Sequence, residues 1–188
     1  MAAFVIGIGG GSASGKSTMA EELRKRLAPL QVEVINQDRF FWDNARLPRH
    51  QNRRNDRAWP DHNHPDSFDF AGLHAALSAA QKGSAEVVIA EGILILHDPA
   101  LRSLMDLRLF VEADADERIV RRIRRNVSRG YGLDGICDFY LDSVRYRHQQ
   151  FCQPTKAFAD LVIPGGQDQR AEAEQVLEEV CRRVREAR

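Results

Sequence analysis

With 188 residues, 43% of them apolar, the chain is long enough for one compact α/β unit with an ordinary core. Lys plus Arg and Asp plus Glu number 27 each, so no global field recruits nucleic acid or an anionic membrane, and neither is expected as a partner. Cys137, Cys152 and Cys181 are odd in number and lack C-x-x-C spacing, which argues against a disulfide framework or a zinc site and for a reducing, cytoplasmic setting.

The chain opens on a short apolar run, Phe4-Val5-Ile6-Gly7-Ile8, read as a buried parallel strand over Met1 to Gly9 and not as a signal peptide. No run approaches the roughly 18 apolar residues of a membrane span. Directly after the strand comes Gly10-Gly11-Ser12-Ala13-Ser14-Gly15-Lys16-Ser17, which fits the phosphate-loop pattern G-x-x-x-x-G-K-[ST] in its required strand–loop–helix setting. Glycines let backbone N–H groups converge on phosphate oxygens, and the following helix aims its positive end at the same place. Lys16 then reaches the terminal phosphates, and the Ser17 hydroxyl is placed to hold Mg²⁺.

Ala20, Leu23 and Leu27 fall at helical spacing and Pro29 stops the helix, giving a helix from about Ser17 to Ala28. Val32 to Ile35 is the second strand, ending in Asn36-Gln37-Asp38 and so placing a carboxylate on the ligand-binding rim of the sheet. From Arg39 to Asp66 the periodicity disappears. Arg46, Arg49, Arg53, Arg54 and Arg57, three histidines, Trp42 and Trp59 lie there, and a loop this long is read as a substrate-facing segment. His62 and His64 lack a third ligand in sequence and are read as hydrogen-bonding loop residues, not metal ligands.

Phe68 to Gln81 resumes helical spacing, with Asp69 as cap and Gly83 as stop. Val87-Val88-Ile89-Ala90 is a third strand, ending in Glu91, a second carboxylate facing the phosphate loop and placed to act on Mg²⁺. Leu107 to Val111 is the fourth. Asp116 to Arg129 carries six arginines, while Ile119, Ile123 and Val127 repeat every four residues, an amphipathic pattern. An arginine lid over the transferring phosphoryl group competes here with a solvated basic face. The phosphate loop elsewhere in the chain and the hinge-like Gly130 and Gly132 favour the lid, over residues 116–133.

A helix follows from Cys137 to Phe151, re-aimed at Pro154, with His148 read as a helix residue of no special chemistry. Leu161-Val162-Ile163 is the fifth strand, closed by Pro164-Gly165-Gly166. The last helix sets Val176, Leu177, Val180, Cys181 and Val184 on one face. Strand–helix alternation predicts an α/β fold, a parallel sheet covered on both faces.

Taken together, Gly10 to Ser17, Gln37-Asp38-Arg39-Phe40-Phe41, Asn63 to Asp69, Glu91-Gly92-Ile93-Leu94, the arginine run Arg118 to Arg129 and Pro154 to Asp160 resemble the successive signature stretches of uridine kinases. The likeness runs from about Phe4 to Gly166. It implies a P-loop kinase-type three-layer fold in a single domain over 1–188, with strand order 2-3-1-4-5, ATP and Mg²⁺, and transfer of the γ-phosphoryl group to a nucleoside 5′-hydroxyl. By position it implies Asp38 as catalytic base, with Lys16, Arg122, Arg125 and Arg129 at the transferring group. Nucleotide would lie on Gly10, Gly11, Ser12, Ala13, Ser14, Gly15, Lys16, Ser17 and Thr18, with Gly165 and Gly166 near the adenine. Mg²⁺ would be held among Ser17, Asp38 and Glu91, and Asp38, Phe41, His64, Asp66, Phe68 and Arg129 would face the acceptor.

Two stretches depart from the family pattern. Gln81 to Val87 joins helix to strand without the usual Pro-x-Tyr-Asp and His-x-Arg segment of the nucleoside pocket. Past the arginine helix, Asn126 and Tyr131 replace an expected aspartate and arginine. A nicotinamide riboside kinase or a kinase for another small hydroxyl acceptor therefore stands beside the uridine or cytidine kinase. A nucleotide-dependent switch is the reading from another class, and Thr155-Lys156-Ala157-Phe158 lacks the aspartate of its base-reading motif.

Overall fold

A computed structural model describes residues 2–51 and 58–188; Arg53, Arg54 and Arg57 of the substrate-facing segment lie outside the described residues. Five parallel strands form the main sheet: β1 (Phe4–Gly10), β2 (Val32–Asn36), β5 (Val87–Glu91), β6 (Leu107–Glu112) and β7 (Leu161–Pro164). Their order is β2-β5-β1-β6-β7, which is the expected 2-3-1-4-5 once the two strands of a separate hairpin are left out of the count. That hairpin, β3 (Arg49–Gln51) paired antiparallel with β4 (Ala58–Pro60), lies where the sequence predicts an aperiodic loop. Its strands are too short to show alternation, and His50 packs on Phe139 at 5.1 Å between ring centres, so tertiary contact supports what local pattern does not.

Strand alternation divides the core between the two sheet faces. Ile6, Ile8, Val87, Ile89, Leu109 and Val111 pack with α1 (Lys16–Arg26) and α7 (Arg170–Glu186), while Val5, Val88, Ala90 and Phe110 pack with α2 (Phe70–Gln81) and α3 (Pro99–Ser103). Asp69 caps α2 as expected, its side chain accepting from the Gly72 amide. On the second face β1 carries glycine because its neighbours sit against the backbone: a Cβ at Gly7 would lie 2.3 Å from Met105 Sδ. Register sets Glu91 opposite Ile8 on one side and Asn36 on the other, so the phosphate loop and both strand-end polar groups share one rim.

The arginine helix, α4 (Ala115–Val127), corrects the sequence reading of its faces. Val127 is 48% exposed and Val120 44%, whereas Arg118 is 6% exposed. The one fully buried position of the helix is thus a charged one, while Ile119, Ile123, Arg121 and Arg122 are all half-buried. Residues 133–158 then run through α5 (Leu133–Phe139), a π segment (Tyr140–Val144), α6 (Arg145–Arg147), a second π segment (His148–Cys152) and a 3-10 turn (Gln153–Phe158). The Pro154–Asp160 stretch is tied to the sheet: Lys156 pairs with Glu112 at 2.6 Å and Asp160 with Arg108 at 2.7 Å. All three cysteines are free, and among the described residues no helix is long and apolar enough to cross a membrane.

Candidate active site

The loop after β1 takes three left-handed conformations, at Gly10 (φ 141°), Ala13 (φ 65°) and Gly15 (φ 107°). Glycine adopts that region freely; alanine does so at a cost of about 1 kcal/mol. Gly15 is the N-cap of α1 and offers no side-chain cap, and the first turn contains no acidic residue. The leading amides and the positive end of the dipole are left for an anion. Lys16 is 7% exposed and donates from Nζ to the Gly11 carbonyl at 3.0 Å. Burial lowers its pKa, against the opposing pull of Glu91 and Asp38.

Opposite the loop, the Ser17 hydroxyl and Asn36 Nδ2 both donate to Glu91 Oε1, at 2.8 and 2.6 Å. Asn36 also turns its Oδ1 to the amide of Asp38 at 2.7 Å, capping the 3-10 turn Gln37–Phe40. One asparagine therefore holds the Glu91 carboxylate and caps the turn that bears Asp38, a role that its position at the end of a strand does not announce. Ser17, Glu91 and Asp38 make a set of hard oxygen donors on one edge, with a cavity of about 390 Å³ opening beside Ser17, Asn36 and Glu91. That donor set fits Mg²⁺, which takes one or two carboxylates and keeps several waters.

From α4, Arg122 Nη1 donates to the Ser12 hydroxyl at 2.9 Å. Burial, then the neighbouring Arg125, lowers the Arg122 pKa to about 10, so it stays charged at neutral pH. Arg125 is lowered by burial and by Arg129, with the Asp38 carboxylate opposing. Arg129 is exposed. Two arginines absent from the predicted set support the loop. Arg121 donates to the Gly165 carbonyl at 2.7 Å, to Glu117 at 2.6 Å and to the Ser14 carbonyl at 3.5 Å, joining the β7 turn to the phosphate loop. Arg118 and His148 lie against Gly11, where a Cβ would meet Arg118 Nη1 at 2.6 Å and His148 Cε1 at 3.0 Å. His148, read from sequence as an ordinary helix residue, is thus a buttress of the loop. Spacing gave no sign of it, because its partner is 137 residues away.

Among the residues expected to face the acceptor, Phe41 stacks on Phe68 at 4.3 Å and takes the edge of His62 at 5.2 Å. Phe68 is 3% exposed, so it backs Phe41. Asp66 and Phe68 line a separate cavity of about 440 Å³ with Trp42, Phe70 and His97, and none of Asp38, Lys16 or Arg122 borders it. His64 accepts from the Asp66 amide at 3.2 Å and meets Phe151 edge-on at 4.9 Å. The structure therefore gathers Lys16, Ser17, Asp38, Glu91, Arg122 and Arg125 at one centre and sets Asp66 apart from it.

The model of the phosphoribulokinase/uridine kinase family matches residues 5–86 and 73–172. A uridine kinase of Clostridium perfringens is 36% identical over an alignment of 185 residues covering 86% of each chain. One of Brevibacillus brevis is 38% identical over 186, covering 86% of this chain and 85% of the relative. Among solved structures, a candidate fructose transport system kinase from Silicibacter superposes with a TM-score of 0.64 at 22% identity, covering 86% and 89% of the two chains. A candidate uridine kinase from Bacillus stearothermophilus gives 0.56 at 15% identity with the same coverage. With a phosphate loop, two rim carboxylates and an arginine helix arranged in this order along a 2-3-1-4-5 sheet, the chain belongs to the phosphoribulokinase/uridine kinase family.

Proposed function

We propose that this protein transfers the γ-phosphoryl group of ATP to the 5′-hydroxyl of a nucleoside, with uridine and cytidine as the first acceptors to test. The observation that carries the reading is the single centre in which Lys16 and Arg122 hydrogen-bond the phosphate loop while, on the facing rim, Asn36 bonds the Glu91 carboxylate and the backbone amide of Asp38. The acceptor hydroxyl attacks in line. Its proton passes to the Asp38 carboxylate, the new O–P bond forms, and the bond from the γ-phosphorus to the bridging oxygen breaks with ADP leaving. Such a transition state is loose, so the protein's work is positioning and charge stabilisation. The α1 amides and Lys16 hold the phosphates, and Arg122 and Arg125 meet the developing equatorial charge. Bound Mg²⁺ neutralises phosphate charge; Ser17, Asp38 and Glu91 supply the oxygens that would hold it, directly or through water. The turn at Gly165 and Gly166 is assigned to the adenine end.

A second acceptor class is favoured by one feature. The link between α2 and β5 is short, with the Gly83 amide donating to Ala80 and no inserted segment, which leaves an acceptor such as nicotinamide riboside within the same chemistry. ADP release is measured with uridine, cytidine and nicotinamide riboside, for the wild type and for Asp38→Asn. The expected result is nucleoside-dependent release by the wild type, with kcat at least about 100-fold lower in Asp38→Asn and ATP affinity within about twofold. ATP binding without release on any acceptor, or full turnover in Asp38→Asn, overturns the reading.

A further inference from the structure

Asp61 is a fully buried carboxylate, 0% exposed, that neither the phosphate loop nor the rim explains. Its Oδ2 accepts from Arg147 Nε at 2.7 Å, and its Oδ1 accepts from the Asn63 amide at 2.9 Å and the Ser143 hydroxyl at 3.1 Å. Its own amide donates to the Pro48 carbonyl at 2.8 Å, and its carbonyl accepts from the Ser67 hydroxyl. One residue thus ties the β3–β4 hairpin, the turn leading to Phe68 and the helix of residues 133–158.

That helix is shaped for the contact. Phe139, Ser143, Arg147 and Phe151 recur every four residues, meeting His50, Asp61, Asp61 again and His64 in turn. A straight α-helix has 3.6 residues per turn, so a four-residue repeat drifts off any one face. The π segments at Tyr140–Val144 and His148–Cys152 use wider i→i+5 turns, which bring the repeat back to one side; such turns recur at functional sites. The Arg147 guanidinium is itself oriented, with Nη1 donating to Gln150 at 2.9 Å.

The latched loop forms the wall behind the base. His62, next to Asp61, meets Phe41. The Asp69 amide donates to the Phe40 carbonyl at 2.8 Å and the Trp42 amide to the Ser67 carbonyl at 3.0 Å, so the loop is joined by backbone hydrogen bonds to the segment that follows Asp38. A charge this deep holds its geometry only while it is paired and hydrogen-bonded.

We infer that Arg147 is a positioning residue for the phosphate acceptor, acting through Asp61 to hold the wall of residues 61–68 against the Asp38 turn. This rests on the kinase reading above, and the test separates the two. Arg147→Gln, Arg147→Lys and Asp61→Asn are compared with the wild type, varying uridine or cytidine at saturating ATP and then ATP at saturating nucleoside. The expected result is a rise of at least tenfold in nucleoside KM for Arg147→Gln and Asp61→Asn, ATP KM within twofold, and partial recovery in Arg147→Lys. Hydrogen exchange of residues 61–69 should quicken in Arg147→Gln while that of residues 10–17 stays unchanged. A lowered melting temperature with both KM values unchanged, or equal rises in both, makes the pair merely structural and overturns the inference. A wild type that releases no ADP with either nucleoside overturns the kinase reading instead. The latch is then decided by exchange, and unaltered exchange at 61–69 in Arg147→Gln sinks it. If Asp61→Asn does not fold, the Arg147 variants carry the test, since that side chain is 26% exposed.

Discussion

At Gly92 the backbone passes so close to Gln37 that an added Cβ would lie 2.1 Å from its Oε1 and 2.4 Å from its Cβ. Gln37 cannot yield cheaply: it is fully buried, and the same Oε1 accepts from the Leu94 amide at 2.9 Å. It is also the residue before Asp38, and Gly92 is the residue after Glu91. A methyl group here wedges the two rim carboxylates apart. Overpacking of this kind costs about 1–3 kcal/mol. Gly92→Ala should therefore lower the melting temperature by roughly 5 °C and, with Asp38 as the proposed base, kcat by about tenfold through the displacement of its carboxylate. A melt and a steady-state assay on the same preparation check both; unchanged kcat would show that Gln37 does not set the placement of Asp38. Glu91-Gly92 was legible as a motif, whereas the reason for its glycine lies in a side chain 55 positions earlier.

In α4 the covered side is shared between apolar and charged residues, a departure from the usual amphipathic rule. Arg118, Arg121, Arg122 and Arg125 stand at i, i+3, i+4 and i+7, the spacing that normally marks an apolar core stripe, and Arg118, Arg121 and Arg122 contact the phosphate loop. Isoleucine and valine spacing marked the helix correctly but only part of its covered side: Ile119 and Ile123 are half-buried, Val127 is exposed and Arg118 is buried. Hydrophobic patterning assumes that what a helix covers is oil; this one covers an anion cradle. Within the stripe Arg121 has a distinct task, bridging Ser14 and Gly165 carbonyls. Gly165 approaches so closely that a Cβ would lie 2.7 Å from the Ser14 carbonyl. Arg121→Ala should loosen the β7 turn from the loop, raising the ATP KM about five- to tenfold while the acceptor KM stays within twofold. Nucleotide titration against each co-substrate checks the split, and a rise in acceptor KM alone would place Arg121 on the other wall.

For the molecule as a whole, the sheet was legible because each strand is a short, largely apolar run bounded by a turn, and the strand–helix alternation leaves little topological freedom. The β3–β4 hairpin, Asn36, Asp61 and the π turns were not. Each depends on a partner remote in sequence, and the hairpin's strands are too short for periodicity. Burial in the assembled fold also sets a property no motif carries. His148 is pushed down to about 4, by burial first and then by Arg118 beside it. His50, His62 and His97 are lowered as well, in each case chiefly by burial. Unfolded, these imidazoles titrate near 6.5. Between about pH 6.5 and about pH 4 the unfolded chain thus binds more protons than the folded one, so stability must fall as pH falls. At pH 5 a fully protected histidine forfeits up to about 2 kcal/mol. Partial exposure of His148 discounts that figure, and the other three imidazoles act in the same direction. The melting temperature should then drop by roughly 5 °C from pH 7 to pH 5, before most carboxylates titrate. His148→Gln should flatten part of that slope, because glutamine takes up no proton in either state. A melting temperature constant over this range, or an unaltered slope in His148→Gln, would show that these imidazoles already share their protons with solvent in the folded protein.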